Sequence, residues 1–428
     1  MLAFRIRAAF AALCLFMCGS VAGAQAPATD LTSTVFRRFA DQVIKIHVIE
    51  TSSSAKAELG SGFFVTAAGH IITNFHVISK LVHEPTRYRA EWVEAGGATH
   101  PLTILAVDVV RDLAVLHADF KPAKFFVLSP IAEPQGTRLY ALGHPNDLGL
   151  SIVEGTYNGL LQYTLYPKIH FTGALNPGMS GGPTITEDGR VIGVNVSTEG
   201  NEISFLVPVD RAAALLEKAR AAGYVTPADE LAEVGAQVRA YQDVYLDKLF
   251  GDSTPTVTLG PYKVPTRPAS FFKCWADATR STSERPYDVV SHQCSTDDYV
   301  FLSGDQSTGM VELRHRLFTS TGLNALRFYS LYEARFASGA NEMEGSETDV
   351  TRFECQTRNV RTGTHAPSTM RAVMCVRRYK KLAGLYDVML RVAVLGHTDS
   401  GLITTLTLAG VSFENAERIT RRFLDRIQ

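Results

Sequence analysis

The segment 176–183 constrains this chain most, because it places a serine inside a glycine-rich bend, Asn-Pro-Gly-Met-Ser-Gly-Gly-Pro. A serine hydroxyl becomes an effective nucleophile only when a base takes its proton and nearby N–H groups stabilise the oxyanion that forms. Gly178 permits a turn in which its own N–H and that of Ser180 converge, and Gly181 and Gly182 leave space beside the hydroxyl. The alternative interpretation is an ordinary turn serine.

Two residues upstream match the needs of such a serine. His76 follows the strand-like run 71–75, at an edge where a base is supported from below and open above. Asp112 precedes the apolar run 113–116, from which a carboxylate can orient an imidazole and stabilise its charged form. The chain order His, Asp, Ser is that of the chymotrypsin type, and differs from the orders in subtilisin and the α/β-hydrolases. Each residue alone also fits a structural role, but the three in this order favour a catalytic triad.

The region from about residue 34 to residue 222 resembles the trypsin-like protease domain of the HtrA/Deg family of bacterial envelope proteases. The resemblance is carried by short segments in the family's order, namely 60–65, 72–77, 112–116, 141–145, 178–183, 191–195 and 204–209. It implies a mainly β fold, a chymotrypsin-like double β-barrel with six strands in each barrel and the active site in the cleft between them.

The resemblance also implies a role for each residue of the site. His76 would be the general base and acid, Asp112 its orienter and Ser180 the nucleophile that becomes acylated. Gly178 and Ser180 would supply the N–H groups of the oxyanion hole. Proteins or peptides would be the substrates, and this chemistry requires no metal and no cofactor.

A primary specificity pocket follows from the same resemblance. Asn195, Val196 and Ser197 are expected to form the strand beside it. Ala174 stands six residues before Ser180, where trypsin has an acidic pocket floor. Without a carboxylate there, cleavage after Arg or Lys is not expected. A small or medium apolar side chain just before the scissile bond, the P1 residue, fits better.

Met179 departs from the family pattern. Digestive relatives have an aspartate here that pairs with a newly cut N-terminus, and HtrA relatives usually have an asparagine. Activation by such a cut is therefore not expected. Two alternatives to an active enzyme stay open. In the first, the chain is an inactive scaffold that serves as a binding or adhesion module through its C-terminal part. In the second, it is a protease that is held latent until its C-terminal part binds a partner.

Composition and the N-terminal segment predict an exported protein of several domains. A chain of 428 residues that is 46% hydrophobic can fill two or three cores. The net charge is −1, and no basic block interleaves with aromatic residues, so nothing indicates nucleic acid. Arg5 and Arg7, the apolar run 8–17 and the small residues 22–24 predict a signal peptide cleaved after Ala24, and hence a periplasmic or secreted location. A lipoprotein cut before Cys18 is disfavoured because Met17 is bulky. No later segment is long and apolar enough for a transmembrane span, and the oligomeric state stays open.

The cysteines of the expected mature chain all lie in its C-terminal half. An even set in an exported protein indicates disulfides rather than metal ligands. Four cysteines allow three pairings, and the equal spacing within each pair favours Cys274 with Cys294 and Cys355 with Cys375. The shared pattern around the two pairs predicts a duplicated, disulfide-pinned β-hairpin unit.

These signals divide the chain into a signal peptide (1–24), a trypsin-like domain (25–224), a helical linker and loop (225–268) and an α+β C-terminal domain (269–428). The linker carries apolar residues at helical spacing, which is typical of a packing face. A closing helix is predicted over 412–427, with Phe413, Ile419, Phe423 and Leu424 packing inward. The PDZ domains of the family are not expected, because no Gly-Leu-Gly-like carboxylate-binding loop is present.

Overall fold

The computed structural model describes residues 31–428 except 95, 130–132, 201, 252–253, 268, 305, 339–342, 344 and 363–367. The predicted signal peptide lies outside the described residues. Within them, no helix has both the length and the apolar character needed to cross a membrane.

The first barrel closes in the strand order β1-β2-β3-β6-β5-β4. Helix α1 (Leu31–Phe39) precedes it, and α2 (Phe75–His83) lies between β3 and β4. The strands are β1 (Val43–Glu50), β2 (Lys56–Phe64), β3 (His70–Thr73), β4 (Tyr88–Val93), β5 (Thr99–Asp108) and β6 (Leu113–His117). Their inward side chains, such as Ile46, Phe64 and Leu116, form one buried cluster with α2. Closure leaves the barrel without a free strand edge.

The second barrel closes in the order β10-β11-β12-β9-β8-β7, and helix α3 (Val209–Ala221) follows it. Its strands are β7 (Arg138–Gly143), β8 (Ser151–Leu160), β9 (Ile169–Thr172), β10 (Pro183–Ile185), β11 (Val191–Thr198) and β12 (Ser204–Pro208). Phe63 of the first barrel, Tyr140 of the second and Leu215 of α3 share one buried cluster. The barrels therefore meet across a packed interface, and the predicted chymotrypsin-like double barrel is confirmed.

Helix α4 (Glu230–Phe250) packs against both halves of the chain. Val234 and Val238 in its first half join the core of the first barrel. Leu246 and Leu249 in its second half join the core of the C-terminal sheet. The apolar stripe predicted for the linker is a packing face, as expected, but it serves two cores.

The C-terminal half is built on a seven-stranded antiparallel sheet in the order β15-β16-β19-β23-β22-β21-β20. In chain order the elements are β13 (Thr256–Leu259), β14 (Tyr262–Pro265), β15 (Phe272–Thr279), β16 (Tyr287–Thr296), β17 (Val300–Ser303), β18 (Gln306–Thr308), β19 (Val311–Ser320), α5 (Ala325–Ala337), β20 (Glu354–Thr362), β21 (Ser368–Arg378), β22 (Tyr386–Val394), β23 (Ser400–Val411) and α6 (Phe413–Asp425). Strands β13 and β14 pair with each other, and β17 pairs with β18 outside the large sheet.

Helix α6 is capped by Ser412, whose hydroxyl accepts from the Asn415 N–H at 3.2 Å, as the sequence predicts. Ile419 and Phe423 are fully buried against the sheet. The prediction for Phe413 is wrong, because this first helical residue is 65% exposed, with its ring edge-on to that of Tyr386.

Both predicted disulfides are confirmed. Cys274 and Cys294 face each other on β15 and β16, with an S–S distance of 2.00 Å. Cys355 and Cys375 face each other on β20 and β21, with an S–S distance of 2.01 Å. Each bond pins one hairpin, and the two hairpins form opposite edges of the seven-stranded sheet. The disulfides therefore cross-link the two outermost strand pairs of the sheet, each of which has a neighbouring strand on one side only.

Candidate active site

His76 and Asp112 form a hydrogen-bonded pair on the first-barrel side of the cleft. The Nδ1 atom of His76 lies 2.6 Å from Asp112 Oδ2, and the backbone N–H of His76 donates to Oδ1 at 2.8 Å. Because the carboxylate only accepts, Nδ1 carries the proton and Nε2 keeps its lone pair. His76 is the second residue of α2, not the end of a strand as the sequence predicted. The first helical turn has free N–H groups, and one of them binds the carboxylate.

Asp112 is held in a left-handed turn between β5 and β6, with a φ of 57°. Aspartate tolerates this conformation better than most residues. The side-chain amide of Asn74 donates to the Asp112 carbonyl at 2.8 Å and fixes the turn from the α2 side. The turn therefore aims the carboxylate at both donors of His76.

The pKa of His76 is raised above its usual value of 6.5. Burial, the largest single influence, lowers it, because the charged imidazolium loses hydration. The charge of Asp112, its hydrogen bond and the charge of Glu58 together outweigh burial. The neutral imidazole, which can accept a proton from serine, therefore predominates only above pH 6.5.

We expect kcat/KM for peptide hydrolysis to rise with pH through an apparent pKa above 6.5, because only neutral His76 acts as a base. Glu58→Gln removes one charge that favours the imidazolium, so the rise of kcat/KM should move to lower pH. Glu94→Gln removes a carboxylate that is paired with His100 and not with His76, so it should leave the apparent pKa of this rise unchanged. Values of kcat/KM measured from about pH 5 to about pH 9 give this apparent pKa. A rate that falls across this range would contradict the assignment of His76.

Ser180 lies on the loop 176–182 of the second barrel. Among the described residues, neither its N–H nor that of Gly178 has a hydrogen-bond partner. The Pro177 carbonyl accepts from the Asn146 N–H at 2.8 Å. Because C=O and N–H point in opposite directions in a trans peptide, this bond turns the Gly178 N–H away from Asn146. Two backbone donors thus remain available beside the serine.

Glycine is required at two positions of this loop. Gly178 has a φ of 95°, and a Cβ there would lie 2.4 Å from the His144 carbonyl oxygen. Gly181 has a φ of 85°, and its Cβ would lie 2.2 Å from the Ser61 carbonyl oxygen. Side chains larger than hydrogen are therefore excluded both by conformation and by close approach.

Ser61 supports the loop, a role that sequence reasoning missed. Its hydroxyl donates to the Gly178 carbonyl at 2.7 Å and accepts from the His144 N–H at 2.9 Å. One side chain on β2 thus connects both barrels at the serine loop. The segment 60–65 carried part of the resemblance, but nothing in its pattern indicated this contact.

Met179 is fully buried beneath the loop, among apolar residues of the second barrel such as Leu139, Phe171 and Leu206. Its N–H donates to the Asn176 carbonyl at 3.0 Å. The departure from the expected pattern therefore places an apolar anchor under the bend.

Asn195 is fully buried and supports the loop from within the barrel. Its amide donates to the carbonyls of Leu142 and Met179 at 3.0 and 3.2 Å, and its oxygen accepts from the Thr184 hydroxyl at 2.5 Å. It lies on the predicted strand, β11, but its side chain does not face the cleft. Val196 and Ser197 do line the cleft.

The Ser180 hydroxyl donates to the Val196 carbonyl at 3.2 Å. Within the described residues it has no hydrogen bond to His76, so the hydroxyl must leave the Val196 carbonyl and meet the imidazole before proton transfer. Ala174 is exposed and does not line the cleft cavity. The structure therefore gathers His76, Asp112, Val196 and Ser197 around one cavity, whereas Ala174, Gly178 and Ser180 are not among its lining residues.

A cavity of about 830 Å³ runs along the cleft beside His76. The first barrel contributes Glu58, Lys80 and Asp112, and the second contributes the loop 161–168 and residues 196–199. The C-terminal half contributes the third wall, with Tyr299 and Phe301 among its residues. The sequence did not predict this wall, because nothing local in it shows that the two halves meet at the cleft.

Two closed barrels, with a histidine–carboxylate pair on the first and a serine on a glycine loop of the second, are the features of a trypsin-like peptidase domain. A family model described as "Trypsin-like peptidase domain" matches residues 60–194. This half of the chain is thus similar to HtrA-like serine protease domains, as the resemblance implied.

The curated relatives show how far the similarity extends. The chain is 32% identical over 196 residues to the mitochondrial serine protease HTRA2 of Bos taurus, covering 42% of each chain. It is 30% identical over 205 residues to a probable periplasmic serine endoprotease, DegP-like, of Halomonas elongata, covering 44% of this chain and 41% of the relative. The chain thus spans less than half the length of these two relatives. The crystal structure of Deg5 aligns at 28% identity over 43% of this chain and 91% of that one, with a TM-score of 0.38.

Proposed function

We propose that this protein is a serine endopeptidase that hydrolyses peptide bonds through an acyl-enzyme on Ser180. The observation that carries the proposal is the 2.6 Å contact between His76 Nδ1 and Asp112 Oδ2, which leaves Nε2 as a base. The free N–H groups of Gly178 and Ser180 support a role as the oxyanion hole. No metal or cofactor enters this chemistry.

The reaction begins when the Ser180 hydroxyl turns from the Val196 carbonyl to His76 Nε2. As Oγ attacks the substrate carbonyl carbon, its proton passes to Nε2, and the Gly178 and Ser180 N–H groups bind the oxyanion. His76 then gives this proton to the leaving amine, and the peptide bond breaks. Water adds to the acyl ester with His76 again as base, which releases the acid and restores Ser180.

The substrates are proteins or peptides in this proposal. Val196 and Ser197, which line the cleft, are uncharged, and this supports a small or medium apolar P1 residue. Ala174 is exposed and is not among the residues that line the cavity, so its proposed contribution is the absence of an acidic group at this position.

A periplasmic or secreted location is part of the proposal. The predicted signal peptide and the two disulfides support it, since such bonds persist in oxidising compartments. The relative from Halomonas elongata is itself described as probably periplasmic. The alternative of an inactive binding scaffold is less well supported, because His76 and Asp112 are hydrogen-bonded to each other at 2.6 Å beside the cleft.

Labelling with a fluorophosphonate probe tests the proposal on the purified, full-length mature protein. Wild type should be labelled stoichiometrically, and Ser180→Ala should not be labelled. Ser338→Ala, at an exposed site after α5, serves as the matched serine control and should be labelled like wild type. Folded wild type that stays unlabelled would contradict an activated serine, and labelled Ser180→Ala would place the nucleophile elsewhere.

A further inference from the structure

The hairpin β17–β18 of the C-terminal half packs on helix α2 of the first barrel. Val300 and Leu302 are buried in the same cluster as Ile78 and Val82 of α2. Phe301, between them on the strand, is only partly buried at the edge of this cluster and also lines the cleft cavity. Its ring meets the ring of His76 edge-on, with 6.1 Å between centroids and 78° between planes.

Polar contacts hold this hairpin against the second barrel as well. Lys168 Nζ lies 2.6 Å from Asp298 Oδ1, and the two side chains are only 12% and 14% exposed. The N–H of Leu165 donates to Asp298 Oδ2 at 2.8 Å, and the Tyr241 hydroxyl of α4 donates to the Leu165 carbonyl at 2.6 Å. An ion pair this buried, with a further hydrogen bond, has a well-defined geometry. Phe301 is therefore part of a fixed wall.

The path of a substrate follows from strand β11. Strand β10 pairs with β11 only as far as Val194, whereas β12 pairs along its other edge to Thr198. The edge of residues 196–198 facing Ser180 thus has no strand partner among the described residues, and an extended peptide can add there. The contact between Ser180 Oγ and the Val196 carbonyl places the P1 residue beside Val196.

Alternation along the added strand decides what each substrate side chain meets. The P1 side chain points to the second-barrel pocket beside Val196 and Ser197, so the preceding residue, P2, points to the opposite side. That side is formed by His76 of the first barrel, and Phe301 stands against the His76 ring. An aromatic ring there takes the space that a large P2 side chain would need.

We propose that Phe301 of the C-terminal half determines specificity by restricting P2 to side chains of the size of glycine or alanine. The occupant of this part of the cleft is an extended peptide. The inference rests on the proposed endopeptidase function. It gives the C-terminal half a direct part in substrate selection.

The test compares peptides that differ only at P2, with Gly, Ala, Leu or Phe, on the full-length mature protein. For wild type we expect kcat/KM to fall about 10- to 100-fold from P2 Ala to P2 Leu. Phe301→Ala should bring P2 Leu to within a few-fold of P2 Ala, and Phe301→Leu should give an intermediate ratio. Tyr329→Ala, which removes an exposed aromatic ring of α5 outside the cavity, should keep the wild-type ratio.

Thermal unfolding identifies a variant that fails to fold. If Phe301→Ala does not fold, the ratio of kcat/KM between P2 Leu and P2 Ala in wild type and in Phe301→Leu tests the inference. Wild type that cleaves P2 Leu as readily as P2 Ala overturns the inference and leaves the endopeptidase intact. An active Phe301→Ala enzyme with an unchanged ratio does the same. Folded wild type that cleaves no peptide and takes up no fluorophosphonate overturns the proposed function, and the P2 inference with it.

Discussion

Ser180→Ala should lower kcat/KM for a peptide substrate by about 10⁵- to 10⁶-fold. Without Oγ no acyl-enzyme forms, and only the two N–H donors and substrate binding remain to assist direct attack by water. Among the residues that the structure describes, the Ser180 hydroxyl has a single hydrogen bond, to the Val196 carbonyl at 3.2 Å. Its loss should therefore change the free energy of unfolding by no more than about 1 kcal/mol. Peptide kinetics and thermal unfolding on the same preparations measure both quantities.

The combination of lost activity and retained stability identifies a nucleophile, since a structural serine would change both. A variant that kept as much as about one hundredth of the wild-type rate would exclude Ser180 as the nucleophile. The Ser338→Ala protein controls for the preparation and should match wild type in rate and in stability. Mass spectrometry of wild type quenched during turnover should show the acyl adduct on the peptide that contains Ser180.

Asp112→Asn should lower kcat/KM by about 10⁴-fold through the wrong imidazole tautomer. The backbone N–H of His76 requires an acceptor at the position of Oδ1, so the asparagine oxygen will occupy it. The NH₂ group then faces His76 Nδ1, which must accept and therefore lose its proton. The proton moves to Nε2, and the base that faces the serine is lost. Asparagine also tolerates the φ of 57°, so the turn should keep its shape.

Asp108→Asn is the matched control for this variant. Asp108 lies in the same segment, but its carboxylate binds the N–H and guanidinium of Arg111 and does not contact His76. Its replacement should change kcat/KM by no more than a few-fold. Asp112→Asn that retained about a tenth of the wild-type kcat/KM would show that the carboxylate does not set the tautomer.

The local chemistry of this protein was readable from short stretches of sequence. The bend 176–183 displays the glycines that leave space beside the candidate nucleophile. Disulfide pairing was also predictable, because each pair joins neighbouring strands of one hairpin at equal spacing. The α6 cap at Ser412 follows from one residue and the turn after it. In each case the interacting groups are close in the chain, so the interaction leaves a recognisable pattern in the sequence.

The direction of a side chain was less predictable than its position on an element. Asn195 lies on the expected strand, yet its amide points into the barrel and holds the Met179 and Leu142 carbonyls. Ala174 has the expected place before the serine, yet it lies outside the cavity. Strand register and loop path set these directions, and both depend on partners far away in sequence.

Short stretches of sequence were enough to predict the class of the first half of the chain, the residue types of the proposed triad and the two disulfides of the C-terminal sheet. The contact of Ser61 with the serine loop, the packing of Met179 under this loop and the position of Phe301 beside His76 became visible in the folded chain alone. Motifs specify chemistry over a few neighbouring residues. The walls of a cleft are instead set by packing between elements hundreds of residues apart, which leaves no local pattern in any of them.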